Sequence, residues 1–137
     1  MSPEVQAFAT GFPTTLLHAG VTLLILIAGA GIYILLTPHK EIRLIRDGNA
    51  AAAVSLAGVM VGLAVPLAVS LNASTSMVEI GLWGAATIAV QLLAFRLVDV
   101  VLHGLPKRIA DGEMAAAAML VGAKLATALI LAAAMGG

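Results

Sequence analysis

Four apolar stretches, running about Thr14 to Leu36, Ala50 to Leu71, Ile80 to Leu102 and Met114 to Met135, occupy most of this 137-residue chain. Each is near the ~20 residues a helix needs to cross the hydrocarbon core of a bilayer. Backbone in lipid must pair its own N–H and C=O groups, which a helix does within one segment and strands do only in a closed barrel. Barrel strands would read as segments of roughly ten residues alternating apolar and polar. These runs are instead continuous and rich in Ala and Leu. Charged residues make up 10% of the chain, against roughly a quarter in a soluble domain. The reading is an all-α integral membrane protein with four spanning helices, a single domain over residues 1–137.

A duplication constrains the arrangement further. Ile45, Asp47, Gly48, Ala51, Ala52, Ala53, Leu56 and Gly58 recur 64 positions later as Ile109, Asp111, Gly112, Ala115, Ala116, Ala117, Leu120 and Gly122. Self-similarity at a fixed offset reads as one structural unit written twice, here two two-helix repeats over about 14–72 and about 78–136. Copies joined after two helices each keep the same membrane orientation, so the repeats are parallel, not inverted.

The loop charges set the expected topology. Lys40, Arg43 and Arg46 lie between the first two helices, and Lys107 and Arg108 between the last two. The N-terminus, the link from Asn72 to Glu79 and the C-terminus hold no basic residue. Positive loops mark the cytoplasmic side, which puts both termini outside, in the periplasm of a bacterium. Met1 to Pro13 has no Lys or Arg to form the charged start of a signal peptide, so the first helix is expected to stay in the mature protein. Ile42, Leu44 and Ile45 interleave with Lys40, Arg43 and Arg46 as a short interfacial turn starting near Thr37 and Pro38. Its cations serve either as topology anchors or as contacts to anionic headgroups.

Each basic loop passes through Asp-Gly into an alanine run: Asp47, Gly48, Asn49, Ala50 and then Asp111, Gly112, Glu113, Met114. Asp or Asn here caps the N–H groups of the following helix, and Gly permits the chain reversal. The functional alternative has Asn49 and Glu113 facing each other across the pseudo-symmetric pair to close a polar mouth. Along the second helix Ala51, Ser55, Gly58, Gly62 and Pro66 share one side, and the fourth helix answers with Ala118, Gly122 and Ala126. Small residues allow close helix approach, within one chain or between copies. Pro66 removes a donor and should loosen the helix around Gly62; its repeat counterpart is Ile130.

Lys124 is the main departure from a plain lipid-facing bundle, about 16 Å into the fourth helix at ~1.5 Å per residue. Gln91 lies at matching depth, within reach of a shared hydrogen bond if the third and fourth helices are neighbours. Asp99 and Arg96, one turn apart, pair locally and lie closer to the inner surface. By the same axial count Asp99 is about 12 Å nearer the cytoplasm than Lys124, so no carboxylate is level with the lysine. Lys124 then either snorkels or makes a structural hydrogen bond, meets another subunit or a water-filled centre, or belongs to a transport or proton-coupled site. On the structural reading Lys124→Met would leave assembly unchanged.

His18 and Thr22 form a mild polar stripe, and His39 and His103 flank the inner ends of two helices. Their spacing matches no metal site, and with no cysteine in the chain there are no thiolate ligands, disulfides or cysteine nucleophiles. Trp83, with Glu79, reads as an interfacial anchor. Asn72-Ala73-Ser74 matches a glycosylation acceptor that matters only in a eukaryotic secretory pathway.

The repeat copies around Ile45 to Gly58 and Ile109 to Gly122, with Glu79, Trp83 and Gln91 on the helix between, resemble the bacterial membrane family called domain of unknown function 350, also named uncharacterised protein family 0719. The likeness covers nearly the whole chain beyond the first dozen residues. It implies a four-helix inner-membrane protein built from two repeats, with Gly-Asn-Ala frequent in the loop motif. This chain keeps Gly48-Asn49-Ala50 but has Gly112-Glu113-Met114 in the second copy. The resemblance supplies no biochemical activity and points only to envelope-stress or membrane-maintenance work.

No cluster of nucleophile, base and orienting group is evident, so the expectation is a non-enzyme without cofactor, metal or nucleic acid. One hypothesis is a membrane component that self-associates as a homo-oligomer, or docks a membrane or cytoplasmic protein, through its small-residue faces. The other is an oligomeric small channel or carrier for an ion or small solute, with Gln91, Lys124, Arg96 and Asp99 on its polar path.

Overall fold

The computed structural model describes residues 2–37 and 41–136. Among them lie four long helices, α1 (Pro3–Leu36), α3 (Ala50–Ala73), α4 (Met77–Val101) and α6 (Met114–Gly136), and two short ones, α2 (Glu41–Arg46) and α5 (Leu105–Ala110). All four long helices are long and apolar enough to cross a membrane. No strand occurs among the described residues.

The first long helix starts eleven residues before the expected Thr14. Ser2 caps it by accepting from the Val5 N–H, and Pro3 sits in the first turn, where its missing donor costs nothing. At 34 residues α1 is about 51 Å long, well beyond the ~30 Å hydrocarbon core. Residues 2–17 are all exposed, and the helix joins the bundle through Ile25, Gly29 and Tyr33.

Both short helices end in the same backbone device. Gly48 and Gly112 adopt φ of 89° and 87°, and their N–H groups bond to Ile45 O and Ile109 O. The next N–H, of Asn49 or Glu113, reaches back to Leu44 O or Arg108 O. This is the left-handed glycine stop that satisfies the last carbonyls of a helix. The Asp-Gly motif therefore closes α2 and α5 before it opens α3 and α6. Asn49 caps α3 through Ala52 N–H at 3.0 Å, whereas Asp47 and Asp111 are exposed. The second short helix was not legible as a helix, since six residues beginning Leu-Pro show no apolar period.

α3 and α6 form the most extensive helix pair, while α4 touches α1, α3 and α6. Gly58 and Gly62 hold their expected place: a Cβ on Gly58 would lie 2.6 Å from Val121, and one on Gly62 2.7 Å from the tip of Phe95. Gly122 and Ala126 make no such approach within the chain: both are exposed, and nothing lies near the position of a Gly122 Cβ. α6 instead buries Ala116, Ala117, Leu120, Lys124, Ala128 and Ala132. One face only can turn inward, and leaving Lys124 in lipid is costlier than exposing Gly122 two residues away on the far side.

α3 runs unbroken through Pro66. A proline at 66 leaves the carbonyl of residue 62 without its helical donor. Gln91 of α4 supplies one: its Nε2 donates to Gly62 O at 3.2 Å, with the side chain fully buried. The glycine that admits Phe95 thus also exposes the carbonyl that the glutamine covers. Gln91→Leu should lower thermal stability by the cost of a buried unpaired carbonyl, about 1 to 3 kcal/mol. Adding Pro66→Ala, which restores the backbone donor, should recover most of that loss in a thermal-unfolding double-mutant cycle.

Candidate functional site

Three helices contribute to one buried charge cluster. Lys124 of α6, 1% exposed, places Nζ 2.9 Å from Asp99 Oδ1 of α4, an ion contact off the direction of an aligned hydrogen bond. Lys124 Nζ also donates to the hydroxyl of Tyr33 on α1, which in turn donates to Asp99 Oδ2 at 3.4 Å. The ammonium lies 4.6 Å from the centre of the Tyr33 ring and 5.6 Å from that of Phe95, and those two rings meet edge to face. Two π faces thus supplement the carboxylate in replacing water around the cation.

This pairing overturns the expectation that no carboxylate is level with Lys124. Backbone depths were a poor guide, because a Cα–Cβ bond tilts toward the N-terminus of its own helix. α4 and α6 run in opposite directions, so Lys124 and Asp99 lean toward each other along the bundle axis, and the lysine stem spans the remaining gap. Gln91 makes no hydrogen bond with Lys124; its donor goes to Gly62 O. Arg96 keeps a weaker contact with Asp99, 3.8 Å from Nη1 to Oδ2, with 38% of its side chain exposed.

Glu41, at the start of α2, is 5% exposed, and its Oε2 has no hydrogen-bond partner among the described residues. It borders a cavity under the short helices together with Tyr33, Ser55 and Asp99, whose free space of about 10 Å³ is the room one water molecule needs. Burial pushes the Glu41 carboxyl up to about 7; Lys124 pulls it down and Asp99 raises it further. Neither Glu41 nor Tyr33 stood out in the sequence. The signals were thin: Tyr33 is the chain's single tyrosine, and Glu41 is an acid at the head of a basic amphipathic segment.

The loops meet, though not through the expected pair. Asn49 Nδ2 donates to Ile109 O at 3.1 Å and Ala110 O at 3.0 Å, tying the start of α3 to the end of α5. Glu113 pairs with Arg108 of its own loop, and no hydrogen bond joins it to Asn49. Thr22 donates to His18 O within α1. At the other end Ser76 caps α4, and Glu79 accepts from Thr75 N–H, while Trp83 is exposed. His39, Lys40 and Pro38 lie outside the described residues. Among the described residues no group of three metal-ligating side chains converges. The cluster offers acid–base chemistry: a carboxyl near neutrality beside a fixed ion pair.

The model of the family Domain of Unknown Function (DUF350) matches residues 7–135. The chain is also 32% identical over 104 residues to the UPF0719 inner membrane protein YjfL of Escherichia coli strain K12, covering 76% of this chain and 79% of that protein. The protein of the same name from Escherichia coli O157:H7 matches to the same extent. No solved structure matches. The chain belongs to the DUF350 family.

Lys124→Met leaves the buried Asp99 with only the Tyr33 hydroxyl at 3.4 Å and Arg96 at 3.8 Å, so it should destabilise the protein toward the lower end of roughly 3 to 5 kcal/mol, contrary to the tolerance expected of a lone structural lysine. The double variant Lys124→Met with Asp99→Leu, which removes both charges, should recover most of the loss. Unfolding midpoints of the wild type, both single variants and the double variant in detergent or nanodiscs check this.

Proposed function

We propose that this DUF350 member is a non-enzymatic, multi-pass inner-membrane component that takes up and releases a proton at Glu41 and couples that event to the seating of α2. The observation that carries the reading is the Glu41 carboxyl, buried beside the Lys124–Asp99 pair with one oxygen that has no partner among the described residues. α2 is six residues long and is held from within by Glu41 and by Leu44 and Ile45, which pack on Ala51, Ala52 and Ile109. Such an element has little apolar area to hold it, so the charge state of Glu41 weighs heavily in its seating.

The sign follows from linkage. A carboxyl raised from 4.5 to about 7 when α2 is docked binds its proton more tightly there than in the free segment. Docking is therefore most favourable below about 4.5, weakens as pH rises toward 7, and levels off above it, a change of at most about 3 kcal/mol. Arg43, Arg46, Lys107 and Arg108 share this end of the bundle, and by the positive-inside rule we assign it to the cytoplasm, with both termini outside. The site would then read cytoplasmic pH, a task consistent with membrane maintenance under envelope stress. Self-association fits α1, whose residues 2–17 are all exposed. A carrier formed by several copies is the second reading. It is favoured by the position of the charged site under the short helices, while Leu63, Leu67 and Ile88 pack the bundle further along.

A single cysteine at the exposed Asp47, introduced into this cysteine-free chain, tests these points in nanodiscs. The label should report a tightly seated α2 at pH 5 and a looser one at pH 8. Glu41→Gln should remain seated throughout, and a pH response unchanged by that substitution would sink the proposal. Membrane-impermeant thiol reagents should fail to reach the cysteine from outside intact cells. Particle mass should exceed that of one 13.8 kDa chain; a strict monomer eliminates the carrier and the self-association together.

A further inference from the structure

On the outer side of the cluster Arg96 presents a partly exposed positive charge. Within the last three turns of α4 and the facing part of α6, two cations, Lys124 and Arg96, serve one carboxylate, Asp99. Lys124 has the better share, at 2.9 Å and nearly fully buried, whereas Arg96 approaches Asp99 only to 3.8 Å, beyond hydrogen-bond reach. The Arg96 guanidinium lines a groove of about 370 Å³ whose other walls include Val100, His103 and Lys107. Arg96 lies five residues from the end of a membrane-spanning helix, about 7.5 Å along its axis, which is headgroup depth for a long cationic side chain.

The apolar surroundings describe the remainder of the ligand. Leu93, Leu97 and Val100 of α4 are 63%, 57% and 62% exposed, and Leu93 and Val100 lie one turn to either side of Arg96 on the same face. Arg96, His103 and Lys107 thus cap an exposed apolar stripe. An occupant needs an anionic head with several acceptor oxygens and an attached hydrocarbon chain. A phosphate diester meets the first requirement by accepting from a guanidinium fork and a lysine together. We propose that this groove binds one anionic phospholipid, its phosphate held by Arg96, His103 and Lys107 and an acyl chain lying along Leu93, on the mid-membrane side of Arg96. None of the three basic residues belongs to α2 and Glu41 is not among the walls, so the groove is tested separately from Glu41, although Asp99 lines it and also bears on Glu41.

The bound lipid would supply the counter-charge that Asp99 shares between two cations. Arg96 could then turn from Asp99 to the phosphate, leaving the carboxylate to Lys124 and Tyr33. Lipid occupancy and the buried pair are linked through that one side chain.

Native mass spectrometry of the protein with graded phosphatidylglycerol, phosphatidylcholine or inorganic phosphate tests the proposal. One phosphatidylglycerol should be retained per chain, phosphatidylcholine should bind at least tenfold more weakly, and inorganic phosphate should not displace the lipid. Lys107→Gln and His103→Gln are on exposed positions and should leave folding intact. Lys107→Gln should weaken retention about fivefold, the equivalent of ~1 kcal/mol for a cation near an anionic headgroup. Arg96→Gln should weaken it further. Arg43→Gln with Arg46→Gln, a larger loss of charge at the same end of the bundle, should leave retention unchanged. Equal retention of the two lipids, displacement by phosphate, or an equal loss in the α2 variant would overturn the assignment, the last by showing attraction to the basic surface as a whole.

Discussion

Lys124, Asp99 and Tyr33 come from α6, α4 and α1, and these three helices must adopt one mutual rotation for an ammonium, a carboxylate and a phenol to meet. In lipid this constraint is severe. Apolar side chains gain little by facing one another instead of hydrocarbon, so they do not fix helix rotation as they do in water. An ionised side chain left without a partner at that depth costs several kcal/mol, and only a few rotations avoid it. The rotation of α6 that buries Lys124 also buries Ala117, Leu120 and Ala128 and turns Gly122 outward. Much of the α3–α6 contact follows from that one choice.

Pro66, Gly62, Phe95 and Gln91 form a second linked set. Gly62 lets the Phe95 ring reach α3, and Phe95 lies beneath the Lys124 ammonium. Pro66 withdraws the donor from Gly62 O, and Gln91, one turn from Phe95, covers that carbonyl. A buried polar network stabilises most when every member is paired, and here the amide donor is paired while Gln91 Oε1 is buried without a partner among the described residues. Here the backbone defect and its remedy are on different helices, so α3 and α4 are aligned in depth as well as in rotation. Asn49 does comparable work at the loops, where one amide caps α3 and binds two carbonyls of α5.

The outward parts of the cluster are where conditions can act on it. Glu41 reaches it from a short helix with little apolar area, and Arg96 reaches it from the lipid-facing side of α4. The core pair itself is buried, Lys124 almost completely and Asp99 to all but 8%. The physical division is between a fixed charge pair that determines packing and two flanking groups whose partners can change. In the two proposals Glu41 carries the proton chemistry and Arg96 the headgroup chemistry, and both bear on the same Asp99.

Hydropathy and length determined the class of fold, because spanning the hydrocarbon core requires runs of about twenty apolar residues in a self-paired backbone, and both are local properties. The starts of α3 and α6 were legible for the same reason, since a left-handed glycine stop and a helix cap are written within a few residues. The start of α1 was missed because Ser2 and Pro3 lie ahead of the hydrophobic run and cap a helix that hydropathy alone places later. Only the tertiary structure decided which side of each helix faces inward and what Lys124 meets. Counting residues along an axis measures backbone depth, whereas the meeting of Lys124 and Asp99 depends on opposed side-chain tilts and on a stem several ångströms long. Glu41 and Tyr33 entered the cluster for the same reason: proximity across helices is set by rotation, which no local pattern in this Ala- and Leu-rich chain encodes.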